Sequence, residues 1–333
     1  MKTSDFHYDL PKSAIAQSAI EPRHDARLLD TRTMSDHRFL DLAELLEPGD
    51  LVVVNRTRVR CARLTGRKPT GGLVEVLLLR ALDGDRWEAL ARPTRRLRSG
   101  SELRFGDLEA HLVADPTRGR ILIEADGNLE MLAETEGEIP LPPYFTGGLD
   151  DPGRYQTMFA DRIGSAAAPT AGLHFTEEVT RRLALRQISI ERIDLEVGLD
   201  TFRPIDAALL EDHEMHSERV DVGSDIVERI ETARIDGGRV VAVGTTVVRA
   251  LESAAADGTL RPMSGVTSLF VRPGDRFRVV DLVVTNFHVP GSTLVVLVAA
   301  MMGEGWRSVY AEALDRGYRF LSFGDAMLVE VPR

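Results

Sequence analysis

Over residues 51–125 the chain reads as strand after strand with no helical period, and on either side of that stretch helix-period segments return. LVVVNRTRVRCARL, LVEVLLLRAL, RWEALARP, ELRFGDLEAHLVAD and GRILIEA are short β-type runs, separated by Gly-rich or Asp-Gly turns at 70–72, 83–85, 106–107 and 126–127. Closely spaced strands without helices imply a small antiparallel barrel or sandwich. After about residue 155 the pattern alternates: EEVTRRLALRQ then ISIERIDLEV, SDIVERIETAR then GRVVAVG, and VVRALESAAADG followed by a long strand-rich run. Helix alternating with strand builds an α/β layer. Residues 37–46 also read as an amphipathic helix, followed by Pro48-Gly49. The sequence therefore predicts an α/β fold in which a discontinuous main domain, 1–59 with 151–333, carries an inserted antiparallel β-barrel-like domain over 60–150. EIPLPPYFTGG is the connection back.

Composition limits the chemistry. The single cysteine, Cys61, excludes an intramolecular disulfide and any thiolate metal cage, and its apolar-alternating surroundings suit a half-buried structural thiol. The N-terminus has no apolar leader-like core, and the longest apolar run, Leu294 to Met302, is about half the length needed to span a bilayer. A soluble cytoplasmic protein without membrane contact is expected, as a monomer or weak homodimer.

Net charge is −11, which argues at first against a polyanionic partner, but its distribution reverses the argument. From Arg56 to Arg104 there are 13 basic residues against 5 acidic ones, a segment of +8 within a remainder of −19. Such asymmetry orients a polyanion onto one face. Arg95, Arg96 and Arg98 are the residues expected to dock a polyanion.

Four segments outside the strand-only region carry candidate chemistry. GSAAAPTAGLHFT, from Gly164 to Thr176, consists of small residues that offer little to a core, and it places Thr170, Gly172 and His174 on a loop before a helix capped by Thr176. Either an ordinary surface loop or a backbone against which a ligand lies would have this composition. In VGTTVVRALES a strand ends at Gly244, and Thr245 and Thr246 stand at a helix N-terminus, whose unsatisfied N–H groups favour a carboxylate or phosphate. Arg249, one turn on, is a candidate partner for a neighbouring acid. HEMHSE holds His213 and His216, which would share a face if helical; without a third-ligand pattern, acid–base or positioning roles suit them better than metal binding. TNFHVPGST places Asn286 and His288 at a strand end.

Together with DFHYDLP, NRTRV, ARLTGRKPTGG, YQTMFA, LDTFRPI and RFLSFGDAML, these segments resemble, in order and nearly in spacing, the S-adenosylmethionine:tRNA ribosyltransferase-isomerase family of queuosine biosynthesis. The resemblance covers the whole chain. It departs from the family pattern at Arg56, where a second Asn is usual, at Glu196 (His), Asp200 (Gly) and Gly291 (Lys), and at His7 (Asp) and Ala26 (Ser).

The resemblance implies an α/β domain with an inserted barrel and two substrates, S-adenosylmethionine and a tRNA carrying a 7-deazaguanine precursor. No metal and no separate cofactor are implied. In the implied reaction the ribosyl group of S-adenosylmethionine passes to 7-aminomethyl-7-deazaguanine in the anticodon and rearranges to epoxyqueuosine, while adenine and methionine leave. That chemistry needs a base for the carbon beside the sulfonium, donors to help adenine depart, and a site that excludes water. His174, His216 and His288 are the catalytic candidates, with the carboxylates Asp161, Glu214 and Asp325 as further bases. Thr170, Gly172, Gly244, Thr245, Thr246 and Asn286 are the candidate substrate contacts.

Two other classes stay open: a nucleic-acid-binding module without catalysis, and a conventional S-adenosylmethionine methyltransferase. The latter usually has a Gly-rich turn after its first strand, where LVVVNRTRV has Asn-Arg-Thr.

Overall fold

The computed structural model describes residues 1–83, 85–117, 119–149, 151–198, 201 and 204–332. In chain order its strands are β1 Arg27–Asp30, β2 Ser35–Arg38, β3 Leu51–Asn55, β4 Thr57–Val59, β5 Arg63–Arg67, β6 Leu73–Ala81, β7 Arg86–Arg92, β8 Glu102–Phe105, β9 Leu108–Leu112, β10 Arg120–Ala125, β11 Arg162–Ser165, β12 Ser189–Leu195, β13 Glu218–Val222, β14 Val240–Val243, β15 Met263–Thr267, β16 Leu282–Asn286 and β17 Ala326–Glu330. Its α-helices are α1 Leu42–Leu45, α2 Leu129–Glu136, α3 Glu177–Leu185, α4 Ser224–Ile235, α5 Thr245–Ala254, α6 Thr293–Met302 and α7 Trp306–Asp315. The chain divides into two compact units, Met1–Arg58 with Pro142–Arg333, and Val59–Leu141.

The larger unit is an α/β layer around a nine-stranded sheet in the order β15-β13-β12-β3-β14-β16-β17-β1-β2. Its centre is parallel: β12 with β3, β3 with β14, β14 with β16. Both faces are covered. Alternation along β3 sends Leu51 and Val53 into a core with Val247, Val248 and Leu251 of α5 and Val295 and Val296 of α6, while Val52 and Val54 join Phe39, Leu42, Val179 and Leu183 on the other side. That is why these strands read as continuous apolar runs.

The smaller unit is a closed barrel, β10-β7-β6-β5-β8-β9, antiparallel throughout. Closure leaves no sheet edge exposed. Inward residues alternate along each strand, Leu64, Val74, Val76, Trp87, Leu103, Phe105, Ile121 and Ile123 among them. Gly66 is required there, since a Cβ would lie 2.8 Å from the Phe105 ring. The helix α2 has no counterpart in the strand-only reading. Asn128 caps it through its side chain, and Leu129 and Ala133 join the barrel core. Cys61 is half-buried and free.

The structure corrects other local expectations. Over 37–46 the chain is strand to Arg38, a 3-10 turn over Phe39–Asp41, and only then helix. The stretch after α5 is not all strand, for the buried α6 and then α7 lie between β16 and β17. Residues 142–149 lie with the larger unit: Gln17 donates to the Tyr144 carbonyl (3.1 Å), the Tyr144 and Ser322 hydroxyls hydrogen-bond, and Phe145 packs edge-on against Phe323.

The positions that depart from the family pattern have definite surroundings. Arg56 forks onto Asp194 (3.0 and 3.1 Å), Glu196 lies over Gly164, and Ala26 is buried. His7 and Gly291 meet: a Cβ at 291 would be 2.4 Å from the imidazole Nε2, so a side chain there and this ring exclude each other as placed. Asp200 lies outside the described residues.

Candidate active site

The carboxyl ends of parallel strands are where open α/β sheets bind ligands. Here β14 runs into Gly244, β16 ends at Asn286 and β12 continues to Val197, so three of the four segments singled out in sequence, all but HEMHSE, converge on one edge of the sheet. They line a cleft formed by Tyr144, Ala168–Ala171, Val197, Thr201, Gly244–Thr246, Thr285–Val289, Leu294, Leu321 and Ser322. Gly244 takes a positive φ of 91°, which turns the chain from β14 directly into α5 without a side-chain cap.

The segment from Gly164 to Thr176 is not an exposed loop. Ala166, Ala167, Ala168, Ala171, Leu173, His174 and Phe175 are all buried, and Ala171 and Phe175 belong to the core beneath the sheet. Small side chains there permit close packing. Gly172 faces Thr157, whose Cγ2 would stand 3.0 Å from an added Cβ, and it does not line the cleft. Thr176 precedes α3 without capping it, because its hydroxyl bonds His24 Nδ1 (2.7 Å).

His174 stacks on Phe39, with ring centroids 4.9 Å apart, and lies behind the cleft rather than in its wall. The Asn286 amide donates to His174 Nε2 (3.2 Å), and the Thr170 hydroxyl donates to Asn286 Oδ1 (2.9 Å). Burial first, then the Arg319 and Arg23 cations, lowers the His174 pKa to about 4. Nε2 is thus an acceptor on a neutral ring, and His174 fixes which way the Asn286 amide points. His288 is in the cleft wall; burial lowers its pKa to about 3, and its Nε2 shares a hydrogen bond with Thr285 Oγ1 (2.9 Å). Burial likewise raises Asp325, whose carboxyl accepts the N–H groups of Arg27 and Arg319.

His213 and His216 sit on extended chain between a 3-10 turn and β13, so they share no helix face. His216 joins a buried cluster that sequence reading missed except for the suggested pairing of Arg249. Arg249 Nη1 meets Glu218 Oε2 at 2.6 Å and lies 3.1 Å from His216 Nε2, while Nη2 donates to the His216 carbonyl (2.5 Å). Glu218 Oε1 also accepts from Gly198 N–H (2.9 Å) and the Thr201 hydroxyl (3.1 Å). Burial disfavours the Glu218 charge, but the His216 hydrogen bond and the Arg249 cation outweigh it and hold the carboxyl below its ordinary range. The signal for Glu218 was present in sequence only as a charge in an otherwise alternating strand.

In the barrel, Arg95, Arg96 and Arg98 are exposed on the turn between β7 and β8, with Leu97 buried beneath them. None has an ion-pair partner among the described residues, whereas Arg80, Arg86, Arg104 and Arg120 are paired with acids.

The profile of the queuosine biosynthesis protein family matches residues 3–329. An S-adenosylmethionine:tRNA ribosyltransferase-isomerase from Symbiobacterium thermophilum is 51% identical, covering 99% of this chain and all of that protein. Its namesake from Halothermothrix orenii is 46% identical over the same shares. The crystal structure of S-adenosylmethionine tRNA ribosyltransferase from Thermotoga maritima superposes with a TM-score of 0.55 at 34% identity, covering 98% of this chain and 99% of that one. With the family profile and full-length relatives in agreement on a chain three of whose four segments meet at one sheet edge, this protein belongs to the S-adenosylmethionine:tRNA ribosyltransferase-isomerases of queuosine biosynthesis.

Proposed function

We propose that the chain transfers the ribosyl group of S-adenosylmethionine to the aminomethyl nitrogen of 7-aminomethyl-7-deazaguanine at the wobble position of a tRNA anticodon. The group isomerises to give epoxyqueuosine, and adenine and methionine are released. The observation that carries this reading is the cleft itself: the hydroxyls of Thr170, Thr245, Thr285 and Ser322 and the amide of Asn286 converge beside a neutral imidazole and the N-terminus of α5. Such a lining suits a polyhydroxylated sugar, and the helix N-terminus suits the carboxylate of the methionine portion.

The sulfonium acidifies the neighbouring ribose carbon. His288 stands in the cleft wall beside Thr285, is kept neutral by burial, and is the group that takes that proton. Asn286, oriented by His174 and Thr170, binds a ribose oxygen. Gly244 and the first turn of α5 supply backbone N–H groups to the carboxylate. His216, tied to Arg249 and Glu218, lies on the other side of Thr201 from this cluster. Arg95, Arg96 and Arg98 contact tRNA phosphates.

Product analysis tests the reading. Incubated with S-adenosylmethionine and tRNA bearing the aminomethyl precursor, the protein is expected to release free adenine and methionine in equal amounts and to add mass to the tRNA. Release of S-adenosylhomocysteine would mark a methyltransferase, and tRNA binding without turnover a non-catalytic module; either result overturns it.

A further inference from the structure

Beyond Thr201, Thr245, Thr246 and Leu294, which line both spaces, the cleft opens into a second chamber with different walls. The first turns of α5 and α6 meet there, and each contributes a buried threonine whose Oγ1 has no hydrogen-bond partner among the described residues: Thr246, 8% exposed, and Thr293, 6% exposed. Buried hydroxyls are ordinarily satisfied. Facing them are Leu269, Phe270, Val271 and Leu297.

A ligand matching both surfaces has a broad flat apolar face and a polar edge. An anion does not match, because the ionised Glu218 lies in the same wall and already neutralises Arg249. An aliphatic chain would leave the hydroxyls unsatisfied. A purine base has both features, with ring nitrogens at its edge and a face that stacks on a phenyl ring.

We propose that this second chamber holds the adenine of S-adenosylmethionine, with Thr246 and Thr293 hydrogen-bonding the base edge and Phe270 covering its face. The ribose then passes the shared wall at Thr201, Thr245 and Thr246 and reaches Asn286 and His288. This assignment rests on the proposed ribosyl transfer and adds a direction to it: the departing base sits on the Arg249 side and the reacting sugar on the Asn286 side. It also makes Phe270 and the two threonines determinants of specificity for a nucleoside-type substrate, a role that none of them owes to the ordinary packing of α5 or α6.

The test uses adenine and 5′-methylthioadenosine as probes of the base site and L-methionine as a probe outside it, by calorimetry on the full chain. Thr246→Val and Phe270→Ala are expected to weaken both adenine-containing probes at least tenfold and to raise the KM for S-adenosylmethionine. L-Methionine affinity of the Phe270→Ala variant and tRNA affinity of both variants should stay within twofold. Thr246→Ser keeps the hydroxyl and should retain adenine affinity. Thr246→Val removes a buried hydroxyl that has no partner, so its Tm should not fall, which separates loss of binding from loss of fold. Unchanged adenine affinity in both variants, or no adenine binding by the wild-type protein, overturns the assignment. Adenine release from S-adenosylmethionine by the wild-type protein is measured alongside. If it occurs while the variants bind adenine normally, the chamber is wrong and the reaction right; if adenine binds as expected but none is released, the reaction is wrong and the base chamber stands.

Discussion

Both units bury an apolar core, but they differ in what else they bury. Among the described residues 24 buried side chains are polar or charged, and every one lies in the larger unit, none in the barrel. Each such group costs roughly 1–3 kcal/mol unless it is hydrogen-bonded, so a fold that keeps so many in one unit keeps them for chemistry or for precise positioning. Several gather where the parallel strands end: Thr245, Thr246, Thr285, Asn286 and His288. Among the described residues, the barrel's wholly buried side chains are apolar, so its charged groups lie toward its outside. That outside is not uniformly basic, since residues 59–141 hold 13 basic and 14 acidic side chains. Its polarity is local, and the unpaired arginines of the β7–β8 turn are where it concentrates.

The strongest way to break this comparison is to remove one partner of the buried pair. Arg249→Met leaves Glu218 charged and buried, and Glu218→Gln leaves Arg249 so; each is expected to cost about 3–5 kcal/mol in urea unfolding. Arg80→Ala removes an exposed barrel ion pair and should shift stability by no more than about 0.5 kcal/mol. If the two classes of variant cost the same, the contrast between the units is false.

Protonation gives the next largest effect. His174 and His288 have folded pKa values of about 4 and about 3, below the ordinary 6.5, so the unfolded chain takes up protons first as pH falls. Stability from these groups is therefore complete above about pH 6.5 and is lost as pH drops toward 4. Asp325, raised by burial, changes in the opposite sense and softens the slope. Between pH 7.5 and 5 the wild-type protein should lose about 2–4 kcal/mol, and His288→Asn markedly less over the same interval. A urea midpoint that ignores pH would show these imidazoles to be solvated.

His174→Ala distinguishes positioning from packing. Removing a buried ring stacked on Phe39 should lower stability by about 2–3 kcal/mol. Releasing the Asn286 amide should also lower kcat roughly ten- to a hundredfold with little change in KM. Combined with Asn286→Ala, the kcat loss should be far from additive. Lost stability with intact kcat would leave His174 a core residue only.

Much of this is legible in the sequence alone. The strand-only run ended by turn residues marked the barrel, and the alternation after residue 155 marked the α/β layer, because periods of 2 and 3.6 report which faces are buried. Gly244, Thr245, Thr246, Asn286 and His288 were readable because strand-end positions announce themselves by Gly, Thr and Asn following an apolar run. Small residues misled at Ala166–Phe175: low side-chain volume signifies an open loop or a tightly packed one, and composition does not separate them. Glu218 shows in sequence only as a charge in an alternating strand and Phe270 not at all, because their partners are distant; Glu218 meets Arg249 across 31 residues.

The smallest effect on the fold comes from the barrel turn, and it tests the other side of the contrast. Arg95, Arg96 and Arg98 project from a turn held by Leu97, by Ser101 Oγ accepting from the Arg98 N–H (2.9 Å), and by Lys68 Nζ donating to the Arg95 carbonyl (3.3 Å). Their side chains contribute nothing to those contacts, so replacing all three by Ala should leave the Tm unchanged. If each meets a tRNA phosphate, the log–log dependence of affinity on salt should flatten by up to about three units, with binding weakened roughly ten- to a hundredfold at low salt. Leu97→Ala removes the anchor while keeping every charge, and should weaken binding through disorder of the turn without changing the slope as much. Unchanged tRNA affinity of the triple variant at two salt concentrations would place the RNA elsewhere, and the barrel would then lack the one functional surface that its unpaired charges assign to it.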